Sequence, residues 1–551
     1  MYRQTGHAAN AICTLCNGRV QSSIYMACGH VFCWNCISEY QNVPGLFRNH
    51  CPECYNNQCL QLVSVDRNGQ LYLQESVLRR CFLEYKDCKD YPSYVISVVG
   101  ERHSGKSFLM NYLMRALRSL EMKSGWNLGK EKDPLNGFPW GYNPDKATQG
   151  IWIWSRPFIL NNDGKKMAVY LLDTKGTTNP PSYPGVSAKL SVLTMLISSH
   201  LVYNLNSSMK KTDIDYLEIY CNPAKNNTEN NVENKQFFEL KFFDVLIRDW
   251  KNPERCGSAA GKSHIIEKIQ EAQGDRDRVL AALQKGTVRC VLMPHPSHAI
   301  AGGGSGCLDD MDLDFQRSLN TYLSTVVSRA KVHAPFDEFS CTMTCSQMAT
   351  KIKMCVDYLQ RIGNCSRPSE LCDKLSVQVN KGTDEKMESI IIRFKDFLQN
   401  QPLLILPSHL KDKIQKNVSE CLEEYEECLL LSRYELRINK SEKLLCRLLH
   451  EGEMFCEEKK KNLKDKGYTV FTFAVKTAVT AVACQLLMPV AAPAAAAGWS
   501  AGWFTGWFPG WFAAAPAAPA TYARVAIGAV GTAAAAVQAG AGYLLRLGRL
   551  W

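Results

Sequence analysis

The stretch G-E-R-H-S-G-K-S, from Gly100 to Ser107, decides the fold. It fits the pattern G-x-x-x-x-G-K-[ST], follows a β-branched run at residues 94–99 and precedes an apolar-periodic run at residues 108–120. Strand, tight loop and helix in this order are what a phosphate-binding loop, or P-loop, requires. The glycines let backbone N–H groups close around phosphate oxygens, and the helix N-terminus adds its positive dipole end. The sequence therefore predicts a nucleotide-binding α/β domain around this loop.

The residue types of the loop predict how a nucleotide is held. Lys106 is expected to reach the β- and γ-phosphates, and Ser107 is expected to ligate Mg²⁺. Further nucleotide contacts are expected from Gly100, Ser104, Gly105 and Phe108.

Composition sets broad limits. The 551 residues are enough for several domains, and 64 Lys and Arg against 53 Asp and Glu give a net charge of +11. This balance suits a phosphate ligand or an anionic membrane, but no long basic tract with interleaved aromatics predicts a nucleic-acid partner. The 24 cysteines occur without a leader-like charged-then-apolar N-terminus, and many have metal-ligand spacing, so we expect a reducing, cytosolic compartment.

Eight metal-ligand residues lie near the N-terminus in the pattern C-x2-C-x11-C-x-H-x2-C-x2-C-x14-C-x2-C. Four ligand pairs predict two tetrahedral Zn²⁺ sites, and a segment this short needs such staples to fold. The residues are Cys13, Cys16, Cys28, His30, Cys33, Cys36, Cys51 and Cys54.

This pattern resembles the C3HC4 RING finger, which implies a domain at residues 1–59 with interleaved ligands. The resemblance assigns Cys13, Cys16, Cys33 and Cys36 to one zinc and Cys28, His30, Cys51 and Cys54 to the other. It also implies docking of a ubiquitin-conjugating enzyme through Leu15, with Tyr40 or Phe47 beside it, and hence E3 ubiquitin ligase activity. Tyr55 stands where many active RING fingers carry a cation. A zinc-stapled interaction module without catalysis is the alternative.

Two segments after the P-loop have the pattern of nucleotide-dependent switches. A loop opening with G-F-P-W at residues 137–140 ends at Thr148, whose hydroxyl is expected to ligate Mg²⁺ when γ-phosphate is present. An apolar run at residues 167–172 then leads into D-T-K-G. There Asp173 is expected near Mg²⁺ and the Gly176 N–H near the γ-phosphate.

The base-recognition motif is unusual. An apolar run at residues 242–247 ends in Arg248 and Asp249 rather than in N/T-K-x-D. A carboxylate there can accept hydrogen bonds from both N1–H and the N2 amino group of guanine, a pattern that adenine does not offer. The predicted substrate is therefore GTP.

Together, the P-loop, G-F-P-W, T-Q-G-I-W-I-W-S, L-L-D-T-K-G-T and F-F-D-V-L-I-R-D-W resemble the atlastins and guanylate-binding proteins of the dynamin superfamily. The resemblance implies a GTPase domain at residues 60–335 and an α-helical middle domain at residues 336–466. It also implies GTP-dependent homodimers and membrane tethering or remodelling.

One P-loop position departs from these relatives. They carry an internal arginine finger at the fourth place of the loop, where this chain has His103 preceded by Arg102. An arginine offsets transition-state charge better than a neutral histidine. Either Arg102 or His103 is therefore the catalytic candidate beside Lys106 and Thr148, and slow hydrolysis is an alternative.

The C-terminal segment, residues 467–551, is apolar. Two runs at residues 470–490 and 525–545 are each long enough to cross hydrocarbon, and a lysine cluster precedes the first. Between them Trp499, Trp503, Trp507 and Trp511 recur every four residues. We expect a membrane hairpin that spans or dips into the bilayer, making the chain an integral endomembrane protein facing the cytoplasm. An Ala/Pro-rich disordered tail is the alternative.

The sequence thus predicts a multidomain chain: a zinc-stapled RING finger, an α/β P-loop GTPase domain, an α-helical middle domain and a hydrophobic membrane hairpin. The main output is GTP hydrolysis on a membrane, or ubiquitin transfer regulated by the GTPase. A nucleotide-gated membrane scaffold with weak or no catalysis by either module is the alternative.

Overall fold

A computed structural model describes most of the first 460 residues. The described positions are 13, 19–20, 22–26, 30–42, 51, 57–66, 68–101, 103–122, 125–140, 150–162, 164–175, 184–221, 241–272, 277–332, 343–363, 365, 367–401, 407–432 and 434–460. The predicted membrane hairpin lies outside these residues.

The N-terminal module is a small zinc-finger scaffold. Strands β1 (Ser23–Tyr25) and β2 (Val31–Cys33) pair antiparallel, and helix α1 (Trp34–Asn42) follows directly. Among the described residues of this module, the buried apolar cluster consists of Ile24, Phe32 and Ile37 packed with cysteines. Because so small a core gives little stability, the module depends on its metal ligands.

A nine-stranded mixed sheet forms the centre of the next domain, in the order β11-β10-β9-β5-β8-β6-β3-β4 with β7 on β8. Strands β11, β10, β9, β5 and β8 run parallel, and the others extend the sheet antiparallel. The strands are β3 (Cys59–Val65), β4 (Leu71–Leu73), β5 (Ser93–Gly100), β6 (Gly150–Trp154), β7 (Phe158–Asn162), β8 (Lys165–Lys175), β9 (His200–Asn206), β10 (Phe242–Trp250) and β11 (Val288–Pro294).

The central strands are apolar on both faces. On β5, Tyr94, Ile96 and Val98 join one buried cluster while Val95 and Val99 join the other. Such continuous apolar runs are typical of parallel strands covered by helices on both sides. The α/β architecture predicted from residues 94–99 is therefore confirmed.

Helices cover both faces of this sheet. They are α2 (Glu75–Arg79), α3 (Lys106–Glu121), α4 (Pro184–Ile197), α5 (Lys211–Cys221), α6 (Gly257–Glu271), α7 (Asp277–Lys285), α8 (His298–Ala301) and α9 (Leu313–Val332). After them come α10 (Cys345–Arg361), α11 (Pro368–Gln399), α12 (Pro407–Cys428) and α13 (Tyr434–Lys460), which confirm a helical region.

A buried charge cluster lies near the beginning of β10. The Asp244 carboxylate is fully buried and meets His200 Nε2 at 3.0 Å, Arg289 Nε at 3.0 Å and Arg329 Nη1 at 3.3 Å. Burial alone raises the pKa of Asp244, but the attraction and hydrogen bonds of His200 and Arg289 outweigh it and hold the pKa well below its usual range. The carboxylate therefore ties α9 to the sheet through Arg329.

The chain divides into two compact units, residues 1–384 with 427–438 and residues 385–426 with 439 onward. In the second unit, the Glu424 carboxylate on α12 pairs with Lys386 and Arg393 of α11. Lys395 of α11 pairs with Glu451 of α13 at 2.9 Å. The domain boundaries predicted from the sequence stay predictions.

The helical region is interrupted between α12 and α13. Helix α12 ends at Cys428, a 3-10 turn spans Leu429–Leu431, and α13 begins at Tyr434. Leu430 and Leu431 are buried in the same cluster as Met348 of α10. The interruption coincides with the burial of these two leucines in that cluster.

In the described part of the chain, no helix is both long enough and apolar enough to cross a membrane.

Candidate functional site

The P-loop lies at the carboxyl end of β5, and close backbone approach dictates its glycines. Gly100 has φ +143°, and a Cβ there would come within 2.0 Å of the Asn204 carbonyl oxygen. Gly105 has φ +78°, and a Cβ there would lie 3.1 Å from Arg248 Nη1. Larger residues at either place would push the loop from its neighbours, so both glycines are geometric requirements.

Lys106 folds back onto its own loop. Its Nζ donates to the Glu101 carbonyl oxygen, which also accepts from Ser104 Oγ at 2.8 Å. The Glu101 carboxylate meets Lys210 Nζ at 2.7 Å on the surface. Lys106 is 8% exposed, so its ammonium is held where a phosphate oxygen can replace the carbonyl as its partner.

Ser107 and Asp173 converge beside the loop. Ser107 Oγ donates to Asp173 Oδ2 at 2.6 Å, and the Asp173 side chain is fully buried at the end of β8. A hydroxyl and a carboxylate oxygen side by side are the hard ligands that Mg²⁺ prefers. The donor set therefore fits a magnesium ion at the place predicted from the sequence.

Arg248 and Asp249 lie at the carboxyl end of β10, on the same side of the sheet as the P-loop. Arg248 is 4% exposed and lies over the rings of Phe108 and Phe315, at 5.8 and 5.2 Å from their centroids. Burial lowers the pKa of Arg248, and its Nε and Nη1 have no hydrogen-bond partner among the described residues. Asp249 has φ +56°, in the left-handed region that aspartate enters more readily than most residues with a Cβ do. These features fit a ligand that brings acceptors to the guanidinium.

The G-F-P-W segment is fixed to α3 by one side chain. Asn111 is fully buried, and its amide accepts from Phe138 N at 2.6 Å and donates to Phe138 O at 2.9 Å. Trp140 meets the edge of Phe108 with ring centroids 5.5 Å apart. Phe108 is itself buried, so its predicted nucleotide contact is restricted to the backbone.

Three predicted residues of the nucleotide site lie outside the described residues: Arg102, Thr148 and Gly176. His103 is described, and it is exposed at φ +59° in the P-loop. Histidine tolerates this left-handed conformation better than most residues with a Cβ do.

Three predicted zinc ligands come together in the N-terminal module. The sulfur atoms of Cys13, Cys33 and Cys36 all lie within 4.8 Å of one another. Tetrahedral zinc with Zn–S bonds of about 2.3 Å places sulfurs about 3.8 Å apart, so this group fits one zinc ion. Cys51 and His30 are also described, whereas Cys16, Cys28 and Cys54 lie outside the described residues.

Sequence reasoning missed Asn111, Asn204 and Lys210. Asn204 lies near the carboxyl end of β9, and its amide reaches Ser104 in the P-loop. Ligands of parallel α/β sheets bind at the carboxyl ends of the strands, so a polar residue ending a buried run was the available signal for Asn204.

The comparisons with known proteins agree with this architecture. The family model "Guanylate-binding protein, N-terminal domain" matches residues 68–334, and "Zinc finger, C3HC4 type (RING finger)" matches residues 13–54. RING finger protein 112 of Homo sapiens is 32% identical over 358 residues, covering 58% of this chain and 54% of the relative. The Bos taurus protein of that name is 28% identical over 425 residues, covering 68% and 65%.

Atlastin-1 of Bos taurus is 32% identical over 279 residues, which is 49% of each chain. The chain spans about half the length of most of these curated relatives. Both predicted resemblances, to RING fingers and to atlastins with guanylate-binding proteins, are confirmed. The chain is thus similar to RING finger protein 112, with a C3HC4 RING-finger match at residues 13–54 and a match to the N-terminal domain of guanylate-binding proteins at residues 68–334.

Proposed function

We propose that the chain is a membrane-anchored GTPase of the dynamin superfamily whose RING finger gives it E3 ubiquitin ligase activity. The GTPase part rests on one observation, which is that three groups lie at the carboxyl ends of neighbouring parallel strands. They are the P-loop after β5, the Ser107–Asp173 pair beside β8, and Arg248 with Asp249 at the end of β10.

Each group has a defined task in binding GTP. Backbone N–H groups of the P-loop cradle the phosphates, and Lys106 exchanges the Glu101 carbonyl for a phosphate oxygen. Ser107 and Thr148 would hold magnesium, with Asp173 near it through water, and the ion would offset charge on the β- and γ-phosphates. Asp249 selects guanine, and Arg248 Nε and Nη1, which have no hydrogen-bond partner among the described residues, donate to acceptors of the nucleotide.

The nucleotide state then controls assembly. With GTP bound, the segments around Thr148 and Gly176 become ordered because each gains a partner in the γ-phosphate site. We expect this ordering to favour pairing of two GTPase domains and to move the helical middle domain. The match to Atlastin-1 supports this sequence of events.

The RING finger supplies the second activity. Its zinc ligands form a rigid platform on which Leu15, with Tyr40 or Phe47, docks a ubiquitin-conjugating enzyme. The module brings the charged enzyme to a substrate and contributes no covalent nucleophile. The match to the C3HC4 family supports this role.

Membrane anchoring rests on the two apolar runs at residues 470–490 and 525–545. A hairpin made from them would keep the lysine-rich stretch before it, and Arg546 after it, near anionic headgroups. We expect the full chain to remain in the pellet when membranes are washed with carbonate at high pH. Extraction by carbonate would instead indicate the disordered tail.

Asp249→Asn is expected to weaken GTP binding by about 30- to 1,000-fold, because losing a charge-assisted bidentate pair costs about 2–4 kcal/mol. Competition against a fluorescent GTP analogue measures this loss. The variant should retain the weak affinity for ATP that the phosphates alone provide, and Asp90→Asn, an exposed carboxylate elsewhere, should match the wild type. Equal wild-type affinities for ATP and GTP would show that Arg248 and Asp249 do not select guanine.

The alternative function is a nucleotide-gated membrane scaffold with weak or no catalysis by either module. The exposed His103, standing where the relatives have an arginine finger, is the observation that favours it. Single-turnover GTP hydrolysis and autoubiquitination by the purified chain distinguish the two functions, since a scaffold binds GTP without turning it over.

A further inference from the structure

Asn204 links the end of β9 to the middle of the P-loop. Its Nδ2 donates to the Ser104 carbonyl oxygen at 2.6 Å and to Ser104 Oγ at 3.0 Å. We propose that Asn204 is a positioning residue that holds the P-loop in its phosphate-binding shape through Ser104. This inference rests on the proposed GTP binding and adds a residue that no P-loop pattern contains.

The backbone around Asn204 makes this link a tight one. Strands β5 and β9 are parallel neighbours, with Gly100 opposite Asn204 in their register. Any Cβ at Gly100 would collide with the Asn204 carbonyl, 2.0 Å away. Asn204 therefore contacts the loop twice, at Gly100 through its backbone and at Ser104 through its side chain. These two contacts restrict changes in the backbone conformation of the loop.

A chain of hydrogen bonds extends the effect of Asn204 to Lys106. Asn204 donates to Ser104 Oγ, and that hydroxyl donates to the Glu101 carbonyl oxygen. The same carbonyl accepts from Lys106 Nζ. The Asn204 amide thus helps to fix the Glu101 carbonyl oxygen, to which Lys106 Nζ donates. A lysine held in this way is pre-organised, so it binds phosphate at a lower entropic cost.

The link needs a donor at position 204. Both partners on Ser104 are oxygens with lone pairs, so an aspartate of the same shape would place a carboxylate against a carbonyl. Asn204 is fully buried, and its Oδ1 has no hydrogen-bond partner among the described residues. Within the described part of the chain, the hydrogen bonds of the Asn204 side chain are therefore the two to Ser104.

The test is Asn204→Asp in the full chain, with affinities for GTP, GDP and GMP measured by competition against a fluorescent GDP analogue. We expect about tenfold weaker binding of GTP and GDP, since two hydrogen bonds of ordinary net worth give a change of this size. GMP, which lacks the β-phosphate, should lose less than about threefold. Asn161→Asp makes the same chemical change on an exposed residue of β7 and should leave all three affinities unchanged.

A double-mutant cycle with Ser104→Ala gives an independent measurement. If the two residues act through one contact, the double variant should lose much less than the product of the two single losses. Ser104→Ala removes only a hydroxyl, so it carries the test if Asn204→Asp does not fold, with a loss of about threefold expected for GDP.

Three outcomes would overturn the proposal: unchanged GDP affinity in both single variants, equal losses for GMP and GDP, or fully multiplicative losses in the cycle. The second would mean that Asn204 supports the fold at large rather than the phosphate loop. A wild-type chain that binds no guanine nucleotide would overturn the proposed GTPase function and this inference together.

Discussion

Replacing Cys33 or Cys36 by serine is expected to abolish zinc binding at one RING site and to unfold the N-terminal module. The sulfurs of Cys13, Cys33 and Cys36 already lie within 4.8 Å of one another, so losing one leaves an incomplete tetrahedron. Structural zinc contributes apparent binding energies of about 10–16 kcal/mol, far more than the small core around Phe32 supplies. Metal analysis of the purified chain measures the loss directly.

Two variants make this zinc experiment specific. Cys446→Ser removes an exposed thiol on α13 and should leave the zinc content unchanged. Leu15→Ala should keep both zinc ions and reduce only ubiquitin transfer, because docking and metal binding use different side chains. Full zinc content in the Cys33 and Cys36 variants would contradict the ligand assignment, and undiminished ubiquitin chains from the Leu15 variant would contradict its docking role.

His103→Arg is expected to raise single-turnover GTP hydrolysis by up to about 10³-fold, because a well-placed arginine offsets charge in the phosphoryl-transfer transition state. His103 lies in the P-loop with φ +59°, a left-handed conformation that arginine adopts less readily than histidine does. The substitution should therefore lower thermal stability slightly while it speeds chemistry. Rapid-quench measurement with saturating GTP separates the chemical step from binding.

Arg102→Ala is the matched control for His103→Arg, because Arg102 is the other candidate for the arginine-finger role. If His103→Arg leaves hydrolysis unchanged while Arg102→Ala abolishes it, then Arg102 already fills the role. If neither substitution alters hydrolysis, the transition state is stabilised by other groups, and the internal-finger interpretation fails.

The sequence predicted the parts of the site that depend on local pattern. The strand, loop and helix around Lys106 follow from β-branched and apolar periodicity, and the structure has them as β5 and α3. Asn-Gly between alternating apolar residues is typical of a hairpin turn, and the structure pairs β3 with β4 across Asn68-Gly69, with Gly69 at φ +78°. These features need information from only a few neighbouring residues.

The features that the sequence did not predict depend on neighbours far apart in the chain. Asn204 faces Ser104 only because β9 pairs with β5, and this order cannot be read from either strand alone. Asp244 looks like an interruption of an apolar run, and its partners Arg289 and Arg329 come from later elements.

The 3-10 turn at Leu429–Leu431 has a consequence for synthesis on the ribosome. Leu430 and Leu431 complete a core whose other members come from residues 62–379. At about 5–20 residues per second, several seconds pass between emergence of that region and emergence of the leucines. During this interval the nascent GTPase domain exposes an apolar surface that chaperones can bind. Its folding therefore finishes only after α12 has left the exit tunnel.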